Sequence, residues 1–138
     1  MKSYLCVAAV VMAFLFSFSD FRAYAQQQEP LDMDQLAEEE ANKLQRQLNL
    51  EDWQVFYVDS TLKANYNALQ MEYDALRKSK VTNATIYQEA KDKCWDNIDA
   101  AYKKYFTEEQ WALYLKQGAA KLQKQRAKRR AKAGIESK

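Results

Sequence analysis

Apolar residues recur at helical spacing through most of the chain after residue 31. In the longest stretch, residues 51–78, they lie three or four positions apart, at Val55, Val58, Leu62, Tyr66, Leu69, Tyr73 and Leu76. This period places them on one stripe of a helix. After Pro30 the chain has no proline, and Ala, Leu, Gln, Glu and Lys are frequent, which favours helix. The pattern therefore predicts an all-α fold.

Breaks in the pattern divide the chain into four predicted helices. The first spans about 32–47 and carries a thin apolar stripe that needs a partner surface, with acidic residues in its first turns. The second spans about 51–78 and the third about 84–105. A short polar turn separates these two long helices, so we expect them to pack as an antiparallel hairpin with the other helices flanking it.

The fourth predicted helix begins at Thr107 and changes character along its length. Its apolar stripe consists of Trp111, Leu115, Ala119 and Leu122. From residue 123 to residue 132 the chain contains only Gln, Ala, Lys and Arg. Because nothing there can bury an apolar face, we expect a projecting basic helix or a frayed tail.

The first 25 residues have the composition of a secretory signal peptide. Lys2 gives a positive start, an apolar run of fifteen residues follows, and Ala23 to Ala25 fit the small-x-small cleavage pattern. The run is shorter than the roughly 20 residues that a membrane-spanning helix needs. We therefore expect cleavage after residue 25, a periplasmic location, a helical domain over 26–122 and a basic helix end or tail over 123–138. An uncleaved membrane anchor is the alternative.

The composition gives little support for catalysis. The chain has no histidine, which removes the commonest general base and the commonest metal ligand. Its two glycines cannot form a Gly-rich phosphate loop. Asp92, Asp96 and Asp99 share one face of the third helix, but no base, nucleophile or metal-ligand set accompanies them, so we interpret them as a solvated face. We predict that the protein is not an enzyme and that it has no catalytic residue, metal site or cofactor.

Outside the predicted signal peptide the chain has one cysteine, Cys94. It falls on the apolar stripe of the third helix, and free cysteines are commonly buried. We therefore interpret Cys94 as a small core residue. An intermolecular disulfide or a redox-active thiol is the alternative.

The net charge of +2 conceals a strong asymmetry between the two ends of the chain. Residues 26–40 carry six acidic side chains and no basic one, whereas residues 116–138 carry nine basic side chains and one acidic one. This suggests either an acidic partner for the tail or pairing between the two ends. The candidates for binding an anionic membrane surface are Lys124, Arg126, Lys128, Arg129, Arg130 and Lys132. A solvated helix end is the alternative. We do not expect nucleic acid as a partner, because export would separate the tail from it.

Two short motifs with the same skeleton begin the second and fourth predicted helices. The sequences "LNLEDWQ" and "FTEEQW" place Gln54 and Gln110 in equivalent positions, each next to a tryptophan. Thr107 and Gln110 have the spacing of a capping box, in which the side chains of both residues cap the helix start. In the first motif Glu51 holds the threonine position, and Asn49 is a second candidate for the cap. Capping alone leaves Gln54 unexplained.

This plan resembles the Spy/CpxP group of small periplasmic proteins, which two LTxxQ motifs define. The positions that match the motifs are Leu50, Gln54, Phe106, Thr107 and Gln110. Glu51 stands in place of threonine in the first motif, and Phe106 stands in place of leucine in the second. The resemblance covers about residues 31–125, and it implies a long bent hairpin in which the motifs have a structural role near the ends.

The same resemblance implies a function without chemistry. Members of the group act as ATP-independent chaperones in envelope stress, as regulatory partners of envelope-stress sensor kinases, or as metal-linked stress proteins, and they often form cradle-shaped homodimers. The best-known members of the metal-linked branch depend on histidines, which this chain lacks. We therefore expect a protein that binds non-native or partner proteins of the envelope, with a homodimer as one form of assembly.

Overall fold

A computed structural model describes residues 32–134 of the chain, and the structural findings below concern these residues. The predicted signal peptide lies outside them. The helical segments are α1 (Met33–Leu48), α2 (Asp52–Lys78), α3 (Ala84–Tyr105), α4 (Glu108–Tyr114), a π-helical turn (Leu115–Ala119) and α5 (Ala120–Lys132). The last three follow each other without a loop and form one helix that is kinked at Gly118. The described residues thus form four helices and no strand, which confirms the predicted all-α fold.

Short polar side chains set several of the helix boundaries. Asp32 caps the start of α1, where its carboxylate accepts a hydrogen bond from the backbone N–H of Asp34 at 2.9 Å. Asn83 caps α3 in the same way, accepting from the N–H of Thr85 at 2.9 Å. These bonds satisfy N–H groups that have no partner within their own helix. The boundaries therefore follow from local chemistry, close to where the sequence predicts them.

Helices α2 and α3 form the predicted antiparallel hairpin. Near the connecting turn, the hydroxyl of Tyr73 donates to the carbonyl of Tyr87 at 3.3 Å. At the opposite end, the ring of Tyr57 stacks on that of Tyr105 with 4.9 Å between centroids. Contacts between residues at equal distances from the turn are those of two antiparallel helices.

The core lies where α1 and the start of the last helix meet the hairpin. Ile98 and Tyr102 of α3 are completely buried there, together with Val58 and Leu62 of α2. Helix α1 contributes the small or branched side chains Ala37, Ala41, Leu44 and Leu48. This burial gives α1 the partner surface that its thin apolar stripe requires.

The kink at Gly118 changes which face of the last helix is buried. Gly118 has φ 126° and ψ −14°, a conformation that side-chain-bearing residues rarely adopt. Beyond it Ala119 is buried, but Leu122 is 55% exposed. The prediction that Leu122 continues the buried stripe is therefore wrong, because the kink breaks the helical register on which that stripe depends. Within residues 32–134, no helix has a long enough apolar stretch to cross a bilayer.

Candidate functional site

Gln54 and Gln110 form a reciprocal pair of hydrogen bonds at the end of the hairpin remote from its turn. The amide nitrogen of Gln54 donates to the amide oxygen of Gln110 at 2.7 Å, and the nitrogen of Gln110 donates back to the oxygen of Gln54 at 3.0 Å. Gln54 is only 2% exposed. We call this arrangement the paired glutamines.

Each of the paired glutamines also caps the start of its own helix. The oxygen of Gln54 accepts the backbone N–H of Glu51 at 2.9 Å, and that of Gln110 accepts the N–H of Thr107 at 3.0 Å. The hydroxyl of Thr107 in turn accepts the N–H of Gln110 at 3.2 Å, which completes the predicted capping box. One pair of amides thus fixes the starts of two helices and joins them.

The remaining amide hydrogens cross to backbone carbonyls beside the opposite helix start. Gln54 donates to the carbonyl of Tyr105 at 2.8 Å, and Gln110 donates to the carbonyl of Asn49 at 3.3 Å. Asn49 does not cap α2, because it ends α1 in a left-handed conformation with φ 52°. The residue at the cap position of α2 is Glu51. Gln54 therefore does have a capping role, contrary to the expectation that capping leaves it unexplained, and its bonds to Gln110 and Tyr105 add a connection between the helices.

The two apolar motif residues, Leu50 and Phe106, belong to the core. Leu50 is 6% exposed and Phe106 is 7% exposed, and the ring of Phe106 stacks on that of Tyr102 with 5.0 Å between centroids. All five motif residues of the sequence analysis therefore lie at one end of the hairpin, where they cap and pack.

Three exposed aromatic side chains lie on α2 directly beside the paired glutamines. Trp53 is 51% exposed, Phe56 66% and Tyr57 44%. Tyr57 contacts both of the others edge to face, with centroid separations of 6.3 Å to Trp53 and 5.6 Å to Phe56. We call these three residues the aromatic patch. The aromatic patch is not among the predicted site residues, although Phe56 and Tyr57 fall off the apolar stripe of α2, which is a usable signal for exposure.

The basic end of the chain folds back onto the acidic face of α3. Arg126 donates to Asp96 at 2.8 Å and also pairs with Asp99. Arg129 contacts both carboxylate oxygens of Asp92 at 2.7 Å. Arg130 also pairs with Asp96. We call these ion pairs of Arg126, Arg129 and Arg130 with the aspartates of α3 the arginine clamp.

The inner part of the arginine clamp is buried. Arg126 is 5% exposed and Asp99 is 8% exposed, and the hydroxyl of Tyr114 donates to Asp99 at 2.6 Å. Burial, followed by this hydrogen bond to Asp99, raises the pKa of Tyr114. At the exposed edge, the hydrogen bond from Arg129 lowers the pKa of Asp92.

The arginine clamp corrects three expectations for the charged residues. The basic segment neither projects nor frays at Arg126, Arg129 and Arg130, because carboxylates of α3 hold these residues. The aspartates of α3 are ion-pair partners and not a freely solvated face. The arginines pair with α3 and not, among the described residues, with the acidic start of the chain. The other three basic residues predicted to bind an anionic surface, Lys124, Lys128 and Lys132, are exposed.

Cys94 is a buried thiol on the inner face of α3. Its sulfur lies 3.6 Å from the carbonyl oxygen of Asn65 in α2, and it forms no disulfide. Burial, with a smaller effect of the charge on Glu72, raises the pKa of Cys94 to about 11. The burial of Cys94 in the core confirms its interpretation as a small core residue, and a buried, protonated thiol is a poor nucleophile.

The described residues contain no group of carboxylates and thiols with the geometry of a metal site.

Comparisons of the chain with protein-family models, curated proteins and solved structures found no match.

Proposed function

We propose that this protein is a non-enzymatic, ATP-independent, chaperone-like protein of the periplasm that binds exposed apolar segments of non-native proteins. The observation that carries the proposal is the aromatic patch. Trp53, Phe56 and Tyr57 present rings on adjacent turns of one helix, each more than two-fifths exposed. Contiguous exposed apolar groups of this kind are a usual mark of an interaction surface.

Neighbouring side chains hold two rings of the aromatic patch in place, which lowers the entropic cost of binding a client. Glu51 accepts a hydrogen bond from the indole N–H of Trp53 at 2.7 Å, and Tyr105 supports Tyr57 by stacking. Because these rings are already held, a client does not have to order them on binding. The paired glutamines anchor the helix turn that carries the patch.

Charged side chains of both signs lie close in the chain to the aromatic patch or to Tyr105, which stacks on Tyr57. Glu51 and Asp52 begin α2, and Lys103 and Lys104 precede Tyr105, and all four are exposed. Charges of both signs speed the first encounter with clients and keep the apolar rings in solution. The predicted signal peptide and the resemblance to the Spy/CpxP group support the same function.

The proposal is tested by the aggregation of a chemically denatured client diluted into buffer without ATP. Equimolar wild-type protein should suppress the light scattering of the client, and Trp53→Ser/Phe56→Ser should lose most of this effect. The matched control is Met71→Ser/Ile86→Ser, which removes two exposed apolar side chains near the opposite end of the hairpin. If wild-type protein leaves the aggregation of the client unchanged, the proposal is wrong.

A photo-crosslinker at Phe56 distinguishes the proposal from its alternatives. Chaperone-like binding predicts crosslinks to many partly unfolded envelope proteins. Recovery of one membrane kinase would favour the regulatory function instead. A dimer that dissociates in the Trp53→Ser/Phe56→Ser variant would show that a second copy covers the patch, and the patch would then not be the client surface.

A further inference from the structure

Helix α5 sorts its basic side chains by type onto opposite faces. At 3.6 residues per turn, Arg126, Arg129 and Arg130 fall within about 100° of the helix circumference, on the side of α3. The lysines, which fall within about 80° on the other side, are Lys121, Lys124, Lys128 and Lys132. We call these four residues the lysine stripe.

The lysine stripe lacks anionic partners in the part of the chain that the structure describes. All four lysines are exposed, and none forms an ion pair within residues 32–134. Lys132 also borders a groove of about 740 Å³ between α3 and α5. Helix α5 contains no acidic residue, so nothing on the helix itself offsets the charge of the stripe.

This arrangement destabilises the helix that carries it. Like charges three or four positions apart repel each other across one helical turn, and the stripe contains three such intervals in succession. The arginines, by contrast, each find a carboxylate. The repulsion within the stripe is relieved when an anionic surface binds. The arginine clamp fixes the rotation of α5 so that the stripe faces away from α3, except that Lys132 borders the groove between the two helices.

The shape of the lysine stripe selects an extended, flat partner. Lys121 and Lys132 are eleven residues apart, which is about 16 Å along a helix. A compact anion such as phosphate contacts one or two neighbouring lysines, whereas a bilayer with anionic headgroups contacts all four at once. Ala127 and Ala131 border the stripe and no large apolar side chain lies on it, so the contact is electrostatic and without insertion.

We propose that the lysine stripe docks this protein flat on an anionic lipid bilayer. The docking residues differ from those that the sequence indicates, because the three arginines are engaged within the molecule and Lys121 joins the exposed set. The proposal does not depend on the aromatic patch. It adds a membrane-surface location to a protein whose client surface lies elsewhere.

The test is cosedimentation of the purified protein with phosphatidylcholine vesicles that contain or lack phosphatidylglycerol. We expect binding to the anionic vesicles alone, and weaker binding as salt is added. Each Lys→Gln change in the stripe should lower the partition coefficient about fivefold, and the quadruple variant K121Q/K124Q/K128Q/K132Q should return it to the level of neutral vesicles. The matched control K78Q/K80Q/K103Q/K104Q removes the same charge from exposed positions outside α5 and should bind nearly as well as wild type.

Three results would overturn the proposal. The first is wild-type binding that is equal with and without phosphatidylglycerol. The second is an equal loss of vesicle binding in the stripe variant and the matched control. The third is stripe-dependent binding of soluble polyphosphate without any binding to vesicles. Circular dichroism melting checks that both quadruple variants fold. The stripe variant should still suppress client aggregation, so failure of membrane docking is distinguishable from failure of the chaperone-like function.

Discussion

Gln54 and Gln110 lie 56 positions apart in the chain and donate hydrogen bonds to each other at the end of the helical hairpin. Each oxygen also accepts a capping N–H, and each nitrogen also donates to a backbone carbonyl beside the opposite helix start. The two helix starts are therefore stabilised as one unit. Because Gln54 is buried, water cannot readily replace a partner that it loses.

Removing either of the paired glutamines should weaken the fold, and removing both should cost less than the sum. We expect Gln54→Ala to lower the free energy of unfolding by about 2 kcal/mol, because buried amide and capping groups lose their partners. The sum of the losses in the two single variants should exceed the loss in the double variant by about 1 kcal/mol. Urea denaturation measures all three. The exposed substitution Gln125→Ala serves as the control, and additive losses would contradict the coupling.

The arginines of the clamp should differ sharply in their importance. Arg126→Ala leaves the buried carboxylate of Asp99 without its cation and should cost about 3 kcal/mol. That is the low end for a buried pair, since Tyr114 still donates to Asp99. Arg129→Ala should cost at most about 1 kcal/mol, because the side chain of Arg129 is 45% exposed. Equal losses in urea denaturation would argue against this distinction between the buried and the exposed ends of the clamp.

The kink at Gly118 should be required for the arginine clamp. A methyl group at this position meets no atom within 4 Å, but φ is 126°, so Gly118→Ala introduces backbone strain without a steric clash. We expect a loss of at least about 1 kcal/mol in the free energy of unfolding, together with faster amide hydrogen exchange in α5. Gly134→Ala, at a positive φ near the end of the helix, should leave exchange around Arg126 unchanged. A protected α5 in Gly118→Ala would show that the clamp does not need the kink.

The helices were predictable because their signals are local. The stripe from Val55 to Leu76, the cap at Asn83 and the polar turn before it depend on residues that are neighbours in the chain. The reciprocal bond between Gln54 and Gln110 could not be derived in this way. Its two motifs are visible in the sequence, but only the closed hairpin brings their side chains together.

The charged end of the chain shows the same limit. Asp92, Asp96 and Asp99 form an acidic face, and the arginines of the tail form a basic one, and both are visible in the sequence. They meet beyond the kink at Gly118, whose conformation no periodicity indicates. Without that kink, a segment free of large apolar residues is reasonably expected to fray. Exposure of the aromatic patch likewise depends on which faces α1 and α3 leave uncovered.

Alkaline pH should destabilise the fold as its buried thiol and phenol groups ionise. Burial raises the pKa of Cys94 from 9.0 to about 11, and burial, with smaller effects of Glu40 and Cys94, raises that of Tyr66 from 10.0 to about 12. Since each folded-state pKa lies above the unfolded value, the stabilisation is complete below the unfolded pKa and is lost as the pH rises through the folded one. The contribution of Cys94 should thus decline between pH 9 and 11 and that of Tyr66 between pH 10 and 12.

Two variants test these contributions. In urea denaturation across this pH range, Cys94→Ala should flatten the decline that begins near pH 9. Tyr66→Phe should reduce the decline above pH 10, to which Tyr102 and Tyr114 also contribute because burial raises the pKa of both. Tyr57→Phe, which changes an exposed phenol, is the control and should follow wild type. The thiol of Cys94 should also react slowly with a thiol reagent at pH 8 until urea unfolds the protein, because both burial and protonation oppose the reaction. Rapid labelling of the native protein would mean that α3 opens readily, and the slope attributed to Cys94 should then be absent.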